Sequence, residues 1–279
     1  MTISEYLAVT TAALQAAGVE SARLDALILL EDALHEDRAV LLAHPEREIP
    51  APVYAGLYKK RVRRETHEPL AYIRGQAPFF GRTFLVDKRV LVPRPESEAI
   101  IELLKQFVPQ LPRPQDPQHG AEALSVADVG TGSGILGLTA GLELPGTQVF
   151  LYDIDDSALE VARHNSGALH VSATLEKQDL LSGIKRQHDI ILANLPYVPE
   201  QLTINRAAGH EPKQALFSGP DGLDHYKRFW AALAGDVNKP MLIITESLPA
   251  QHHTNALLAR AAGFYMAGRQ GFAQAFQPL

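Results

Sequence analysis

The sequence predicts an α/β protein with a helical N-terminal domain. Three observations carry this. From residue 124 onward, short apolar runs alternate with helical stretches, the pattern of strands joined by helices into a mostly parallel sheet. Gly130, Gly132 and Gly134 cluster where the first such run meets the first such helix. Residues 1–75, by contrast, read as helices alone. A length of 279 residues fits about two domains. The expected boundaries are a helical recognition domain over 1–75, a β-hairpin connector over 76–92 and the α/β domain over 93–279.

Composition bounds the function. At 46% hydrophobic and 21% charged, the chain can bury a sizeable core. A net charge of −6 and a pI near 6.0 argue against bulk binding to nucleic acid or to an anionic membrane. The absence of cysteine rules out disulfides and thiolate metal sites, which fits a reducing compartment. The N-terminal stretch carries Glu5 and no basic leader, and no apolar run approaches membrane-spanning length. These features place the protein in the cytoplasm.

In the first domain, Ser4 is placed to cap a helix bearing Tyr6, Leu7, Val9 and Leu14. Ser21 is placed to cap the next, with Leu24, Ala26, Leu27, Leu30 and Leu34 on one face. A short helix holds Val40, Leu41 and Leu42, and a fourth runs over about 52–64. The basic run from Lys59 to Arg64 reads as a solvated face. His35 and His44 lie near helix ends with no second ligand at metal spacing, so no metal site is expected. In the connector, the apolar run over 79–86 and the run Val90-Leu91-Val92 signal a hairpin. Pro93-Arg94-Pro95-Glu96-Ser97-Glu98 then opens a helix through Ile100, Ile101, Leu103 and Leu104. Residues 109–123 are proline-rich and polar and read as a flexible surface loop.

In the α/β half, residues 124–129 read as the first strand. The glycine loop follows, then a helix from Ile135, and the lack of Cβ atoms lets a ligand press on the loop backbone. A second strand over 149–152 ends in Asp153, placed to bind ribose hydroxyls. A helix starts at Ser157. A third strand over about 171–175 leads to Asp179, an acceptor for an adenine amino group. Residues 189–193 form a buried fourth strand. A helix with Tyr226, Phe229, Trp230 and Leu233, a fifth strand over 241–246, a helix over 251–262 and a final hairpin over 264–278 complete seven strands.

The fourth strand runs into Asn194-Leu195-Pro196-Tyr197. Pro196 stops the ladder and pushes Leu195 toward an extended conformation, making a rigid corner at a carboxyl strand end. Open α/β sheets bind ligands there. The Asn194 side-chain carbonyl and the Leu195 backbone carbonyl supply two acceptors, and Tyr197 a flat ring, a set that suits a planar NH2 group.

The glycines permit two readings. Gly132, Gly134 and Gly137 match G-x-G-x-x-G, with Asp153 about 20 residues on, as in dinucleotide-binding folds. Asp128, Gly130, Gly132 and Gly134 equally match the pattern of S-adenosylmethionine (AdoMet) methyltransferases. A dinucleotide enzyme has no evident use for Asn194 to Tyr197, whereas a methyltransferase acting on a planar NH2 does.

With these residues in hand, nearly the whole chain resembles the release factor glutamine methyltransferases. The resemblance rests on Glu68 to Ile73 with Gly75, Pro93 to Glu98, Asp128 to Gly134, Asp153, Asn194 to Tyr197, Glu211-Pro212 and Gly219 to Leu223. It implies a Rossmann-like class I AdoMet-dependent methyltransferase domain, and methyl transfer to the side-chain amide nitrogen of Gln in the Gly-Gly-Gln motif of peptide chain release factors, leaving S-adenosyl-L-homocysteine. Asp128, Gly130, Thr131, Gly132, Gly134, Asp153, Asp179 and Asn194 are the implied cofactor contacts. Asn194, Leu195, Pro196 and Tyr197 are the implied substrate contacts, with Asn194, Pro196 and Tyr197 catalytic. The partner is then a release factor, with no nucleic acid or membrane needed, and the chain acts as a monomer. The family motif usually reads Asn-Pro-Pro-Tyr, and Leu195 stands for its first Pro. Asn-Leu-Pro-Tyr is also familiar from ribosomal RNA adenine dimethyltransferases, so an adenine-N6 methyltransferase on RNA or DNA is the alternative. A NAD-dependent oxidoreductase and a non-catalytic AdoMet-binding protein are further rivals.

Overall fold

The computed structural model describes the chain except for residues 113, 114, 117–119, 122, 185, 236 and 237. It divides into two compact units, Met1–Gln76 with Ile204–His210, and Ala77–Thr203 with Glu211–Leu279.

The first unit is helical, with α1 (Ile3–Ala16), α2 (Ala22–Leu34), α3 (Arg38–Ala43), α4 (Ala51–Glu65) and α5 (Leu70–Arg74). Thr2, rather than Ser4, caps α1. Its hydroxyl accepts the Glu5 N–H while Glu5 accepts the Thr2 N–H, a capping box that outcompetes a lone Ser. Ser21 precedes α2 but makes no side-chain cap bond. Ile3, Tyr6, Leu29, Leu30, Leu41 and Leu57 form the core. Val9, Leu24, Val40 and Leu42 are exposed, because the buried stripes of their helices run through other positions, such as Ala26, Leu29 and Leu30 of α2. Lys59, Val62 and Arg63 of the basic run are exposed, as a solvated face requires, while its three arginines are ion-paired. Arg61 pairs with Glu65, Arg63 with Glu68, and Arg64 with the buried Asp25 at 2.7 Å. The excursion Ile204–His210 joins this unit, with His210 Nε2 donating to the Thr66 carbonyl at 2.9 Å and Arg206 meeting the His67 ring at 3.1 Å.

The second unit opens on a hairpin, β1 (Gln76–Phe79) and β2 (Arg82–Leu85). Its turn is Phe80-Gly81, both at positive φ, the two-residue geometry that matches strand twist. The expected hairpin partner Val90-Leu91-Val92 is instead irregular, and its Val92 N–H goes to the Glu211 carboxylate at 3.0 Å. The Pro93–Glu98 segment does open a helix, a single 3-10 turn from Pro95 leading into α6 (Glu98–Phe107). Within the proline-rich stretch, β3 (Gln115–Asp116) pairs with β4 (Gly120–Ala121), and the remainder of that expected loop lies largely outside the described residues.

The remaining elements are β5 (Ser125–Val129), α7 (Ile135–Glu143), β6 (Gln148–Asp153), α8 (Asp156–Ala168), β7 (Ala173–Lys177), β8 (Ile190–Ala193), α9 (Asp224–Leu233), β9 (Leu242–Glu246), α10 (His252–Ala261), β10 (Phe264–Gln270) and β11 (Ala273–Pro278). They build a seven-stranded sheet in the order β10-β11-β9-β8-β5-β6-β7. β5 to β9 are parallel, and β11 runs antiparallel to both β9 and β10. The period-2 alternation of each strand splits the core in two. Val126, Leu151, Ile190, Leu192 and Ile244 face α6 and α7, while Ala127, Phe150, Ile191, Ala193 and Ile243 face α9 and α10. Strand order reverses between β5 and β8, so the crevice at their carboxyl ends is the switch point where such sheets bind ligands.

Candidate active site

Asp128 pairs with Leu192 across β5 and β8, which brings the glycine loop and Asn194 out of neighbouring strands side by side. One cavity covers this crevice. Its walls include Gly130, Thr131, Gly132, Asp153, Asp179, Asn194, Leu195 and Pro196. The strand ends thus bring together most of the expected site residues.

The loop is held from behind. The Gly130 and Thr131 N–H groups both donate to the Tyr152 carbonyl at 2.9 Å. Gly132 N–H donates to Asp153 Oδ2 at 2.8 Å, which aims that carboxylate along the cavity wall. Gly130 stands at φ +71, and a Cβ there would press on Leu195 Cδ2 at 3.1 Å. Gly134 caps α7 at φ +84, and a Cβ would meet Leu138 Cδ1 at 2.9 Å, so it serves helix packing and does not line the cavity. Burial pushes the Asp153 carboxyl above its ordinary range, opposed by the N–H groups of Asp155 and Gly132. Beside it Ile154, 55% exposed, offers the cavity an apolar face.

Asp128 lies behind the loop and not on the cavity wall. Its Oδ2 accepts from Thr131 Oγ1 at 2.6 Å and Gly137 N–H at 2.9 Å, while Oδ1 is buried without a partner. Desolvation raises its pKa to about 6. A raised carboxyl pKa stabilises the fold at low pH, and that stability is lost as pH climbs through about 6. Asp128→Asn keeps the acceptor for Thr131 and Gly137 and removes the charge. It is expected to flatten this part of the slope, worth on the order of 2–3 kcal/mol between about pH 4 and pH 7. Urea unfolding across that range checks it, and equal slopes in the two proteins would refute the assignment.

Asp179 stands two residues beyond β7, half exposed, with Oδ2 taken by Arg228 Nη2 at 2.6 Å. The sequence reading missed this partner. It also missed the surroundings of the corner. Asn194 Nδ2 donates to Ser97 Oγ at 3.0 Å, from the 3-10 turn before α6. Tyr197 does not line the cavity. Its hydroxyl turns inward to Glu246 Oε1 at 2.8 Å, and burial beside that acid pushes the phenol well up. The ring therefore supports the corner from below. The fully buried Tyr226 hydroxyl shares its single hydrogen between the Glu246 carbonyl at 2.5 Å and the Ala193 carbonyl at 2.9 Å, and accepts from the Leu195 N–H at 3.4 Å. A Pro at 195 has no N–H for that last contact. Leu195 itself is buried under the corner among Val129, Tyr226 and Phe229. Arg94, on the cavity wall, is held by buried Glu211 at 2.6 Å. Among the described residues no group of His, Asp and Glu could hold a metal ion, and no helix is long and apolar enough to cross a membrane.

Residues 5–75 match the family model of the PrmC N-terminal domain, and residues 108–215 that of the methyltransferase small domain. Two solved structures share the fold: the hMettl16 catalytic domain in complex with a MAT2A 3′UTR hairpin (14% identity, 82% of this chain and 80% of that chain, TM-score 0.53) and T. thermophilus RsmC in complex with AdoMet and guanosine (17%, 73% and 49%, 0.51). The release factor glutamine methyltransferase of Moorella thermoacetica is 35% identical over 271 residues, 95% of this chain and 92% of its own. That of Koribacter versatilis is 39% identical over 77% of this chain and 75% of its own, and that of Deinococcus radiodurans 30% over 99% and 98%. With likeness of this extent running from the helical unit through the corner at Asn194, the chain belongs to the release factor glutamine methyltransferase family.

Proposed function

We propose that this protein transfers a methyl group from AdoMet to the side-chain amide nitrogen of the Gln in the Gly-Gly-Gln motif of peptide chain release factors. The observation that carries the reading is the corner Asn194-Leu195-Pro196-Tyr197 at the switch point, beside a glycine loop, in a member of this family. The cavity fits the cofactor. A glycine cradle at Gly130 admits no Cβ without pressing on Leu195, Asp153 offers a carboxylate aimed by a loop amide, and Ile154 offers an exposed apolar face. Bound there, AdoMet supplies an electrophilic methyl group on a sulfonium.

The protein's own task is orientation. An amide nitrogen is a poor nucleophile because its lone pair is delocalised into the carbonyl. Asn194 Oδ1 and the Leu195 carbonyl accept the two N–H bonds and aim the nitrogen, with Pro196 fixing the corner and Tyr197 bracing it. Holding the reactants in this geometry is worth several kcal/mol, and the two acceptors favour the positive charge that develops on nitrogen. Asp153 binds the ribose. Asp179 accepts from the adenine amine, held by Arg228. Gly130, Thr131, Gly132 and Gly134 shape the loop, and Asp128 braces it. The helical domain over 1–75 recognises the release factor, and the protein acts as a cytoplasmic monomer without contacting nucleic acid.

Incubation with labelled AdoMet and release factor, followed by peptide mapping, tests this. Label on the motif glutamine is expected, and label on RNA or DNA adenine instead would overturn it. Asp153→Ala is expected to weaken AdoMet binding by about 1–3 kcal/mol, the scale of a charged hydrogen bond lost in a partly buried site. Titration calorimetry on the folded variant measures this, and unchanged affinity would count against the ribose role.

A further inference from the structure

Tyr226 projects from α9 into the core, fully buried and edge-on to Phe229. A ring packed in this way has little room to move. Burial pushes its phenol well up, so the hydroxyl keeps its hydrogen. The hydroxyl makes three contacts, and all three are to backbone. Its hydrogen is shared between the Ala193 and Glu246 carbonyls, and its oxygen accepts from the Leu195 N–H.

The Ala193 carbonyl belongs to the peptide group that precedes Asn194, and the Leu195 N–H to the peptide group that follows it. Each peptide group is a rigid plane, so the two soft dihedrals of Asn194 are the rotations between these planes. One oxygen atom that touches both planes holds the pair. The Glu246 carbonyl ties the same oxygen to the end of β9. The backbone of Asn194 is thus set by α9 and β9 as well as by its own strand.

The second plane offers an N–H because residue 195 is Leu. A proline there has none. It would instead restrict Asn194 sterically, as the residue before any proline is restricted. Leu195 gives up that restriction. It is also buried, so its N–H needs an acceptor inside the protein, and Tyr226 supplies one at 3.4 Å.

We propose that Tyr226 is a positioning residue: by gripping the peptide groups on both sides of Asn194, its hydroxyl fixes the backbone from which the Asn194 side chain reaches the cavity, and supplies the stiffness that a proline at 195 would otherwise give. This rests on the reading above, in which Asn194 orients a substrate NH2. Tyr226 itself does not line the cavity.

Tyr226→Phe removes one oxygen from a ring that stays in place. It is expected to lower kcat on a release factor about tenfold, the result of a displaced acceptor, with AdoMet affinity unchanged. It also leaves the Leu195 N–H buried and unpaired. Leu195→Pro removes that N–H and restores the steric restriction. In the Leu195→Pro background the same change at 226 is therefore expected to lower kcat by about twofold or less. An equal loss in both backgrounds would overturn the proposal, as would unchanged kcat in Tyr226→Phe. A parallel loss of AdoMet affinity would also overturn it, since a general loosening of the fold reaches the glycine loop as well. A second measurement needs neither turnover nor the proline variant. Hydrogen exchange of backbone amides, followed by NMR, is expected to speed up at Leu195 in Tyr226→Phe by about tenfold relative to Val126 and Ala127 of β5. An equal change at all three amides would overturn the proposal. If Leu195 loses its protection while the wild type methylates no glutamine, the substrate reading falls and the held corner stands.

Discussion

Asn194→Ala is expected to lower turnover on a release factor by on the order of a hundredfold or more, a loss of about 2.7 kcal/mol in transition-state stabilisation. The variant deletes the acceptor that fixes the substrate nitrogen, leaving the NH2 group free to rotate. AdoMet affinity is expected to change by no more than a few-fold, since the variant leaves the glycine loop, Asp153 and Asp179 in place. The stability cost is expected near 1–2 kcal/mol, because Ser97 Oγ loses the donor that Asn194 Nδ2 supplies. Measuring kcat, AdoMet affinity and melting temperature on one preparation separates these terms. A stable, cofactor-binding variant with near-normal turnover would leave Asn194 a turn residue and remove the main support for amide methylation.

Gly222→Ala is expected to be more damaging still, although residue 222 touches no ligand. Gly222 stands at φ +75, where an L side chain is already strained by about 1 kcal/mol. A Cβ there would lie 2.2 Å from the Tyr197 carbonyl oxygen and 2.4 Å from Gln251 Nε2. Gln251 is itself the clip of this region, its Nε2 donating to the Tyr197 and Asp221 carbonyls at 2.8 Å each. Backbone must move to admit the methyl group, and the backbone that moves belongs to the substrate corner. A loss of more than about 3 kcal/mol in unfolding free energy is expected, the upper range for overpacking. Turnover in the surviving folded fraction is expected to fall at least tenfold, since a displacement of about 1 Å can cost far more. Chemical denaturation and single-turnover kinetics check both parts, and wild-type stability in Gly222→Ala would show that the loop yields without harm.

The α/β half was legible because its signals are local. Runs such as Asp189-Ile190-Ile191-Leu192-Ala193 can be little else than buried strands, and the glycine cluster has one sensible place in such a fold. Asp153 and Asn194 could be placed because each closes an apolar run. Glu246 closes β9 in the same way, so the signal that would have found it was present and not used. Ser97 carried no such signal. Its meeting with Asn194 spans 97 positions of sequence and depends on how α6 lies along the sheet. The hairpin was misplaced because apolarity alone marked Val90 to Val92 as a strand, whereas the turn geometry at Phe80-Gly81 decided the pairing. Tyr197 was expected beside the ligand, and the direction of its hydroxyl followed from the buried acid, which spacing does not reveal.

The excursion Ile204–His210 bears on how this protein could be taken apart. The helical unit is not a bead at one end of the string, because it borrows seven residues from well inside the other half of the gene. Removing 1–76 would strip Arg206 and His210 of His67 and Thr66, and would leave a severed patch in the segment running from the corner at Tyr197 to the Glu211 that holds Arg94. Exchange of the N-terminal unit between relatives, whether in a lineage or at the bench, therefore has to carry this heptapeptide with it as a second, distant crossover.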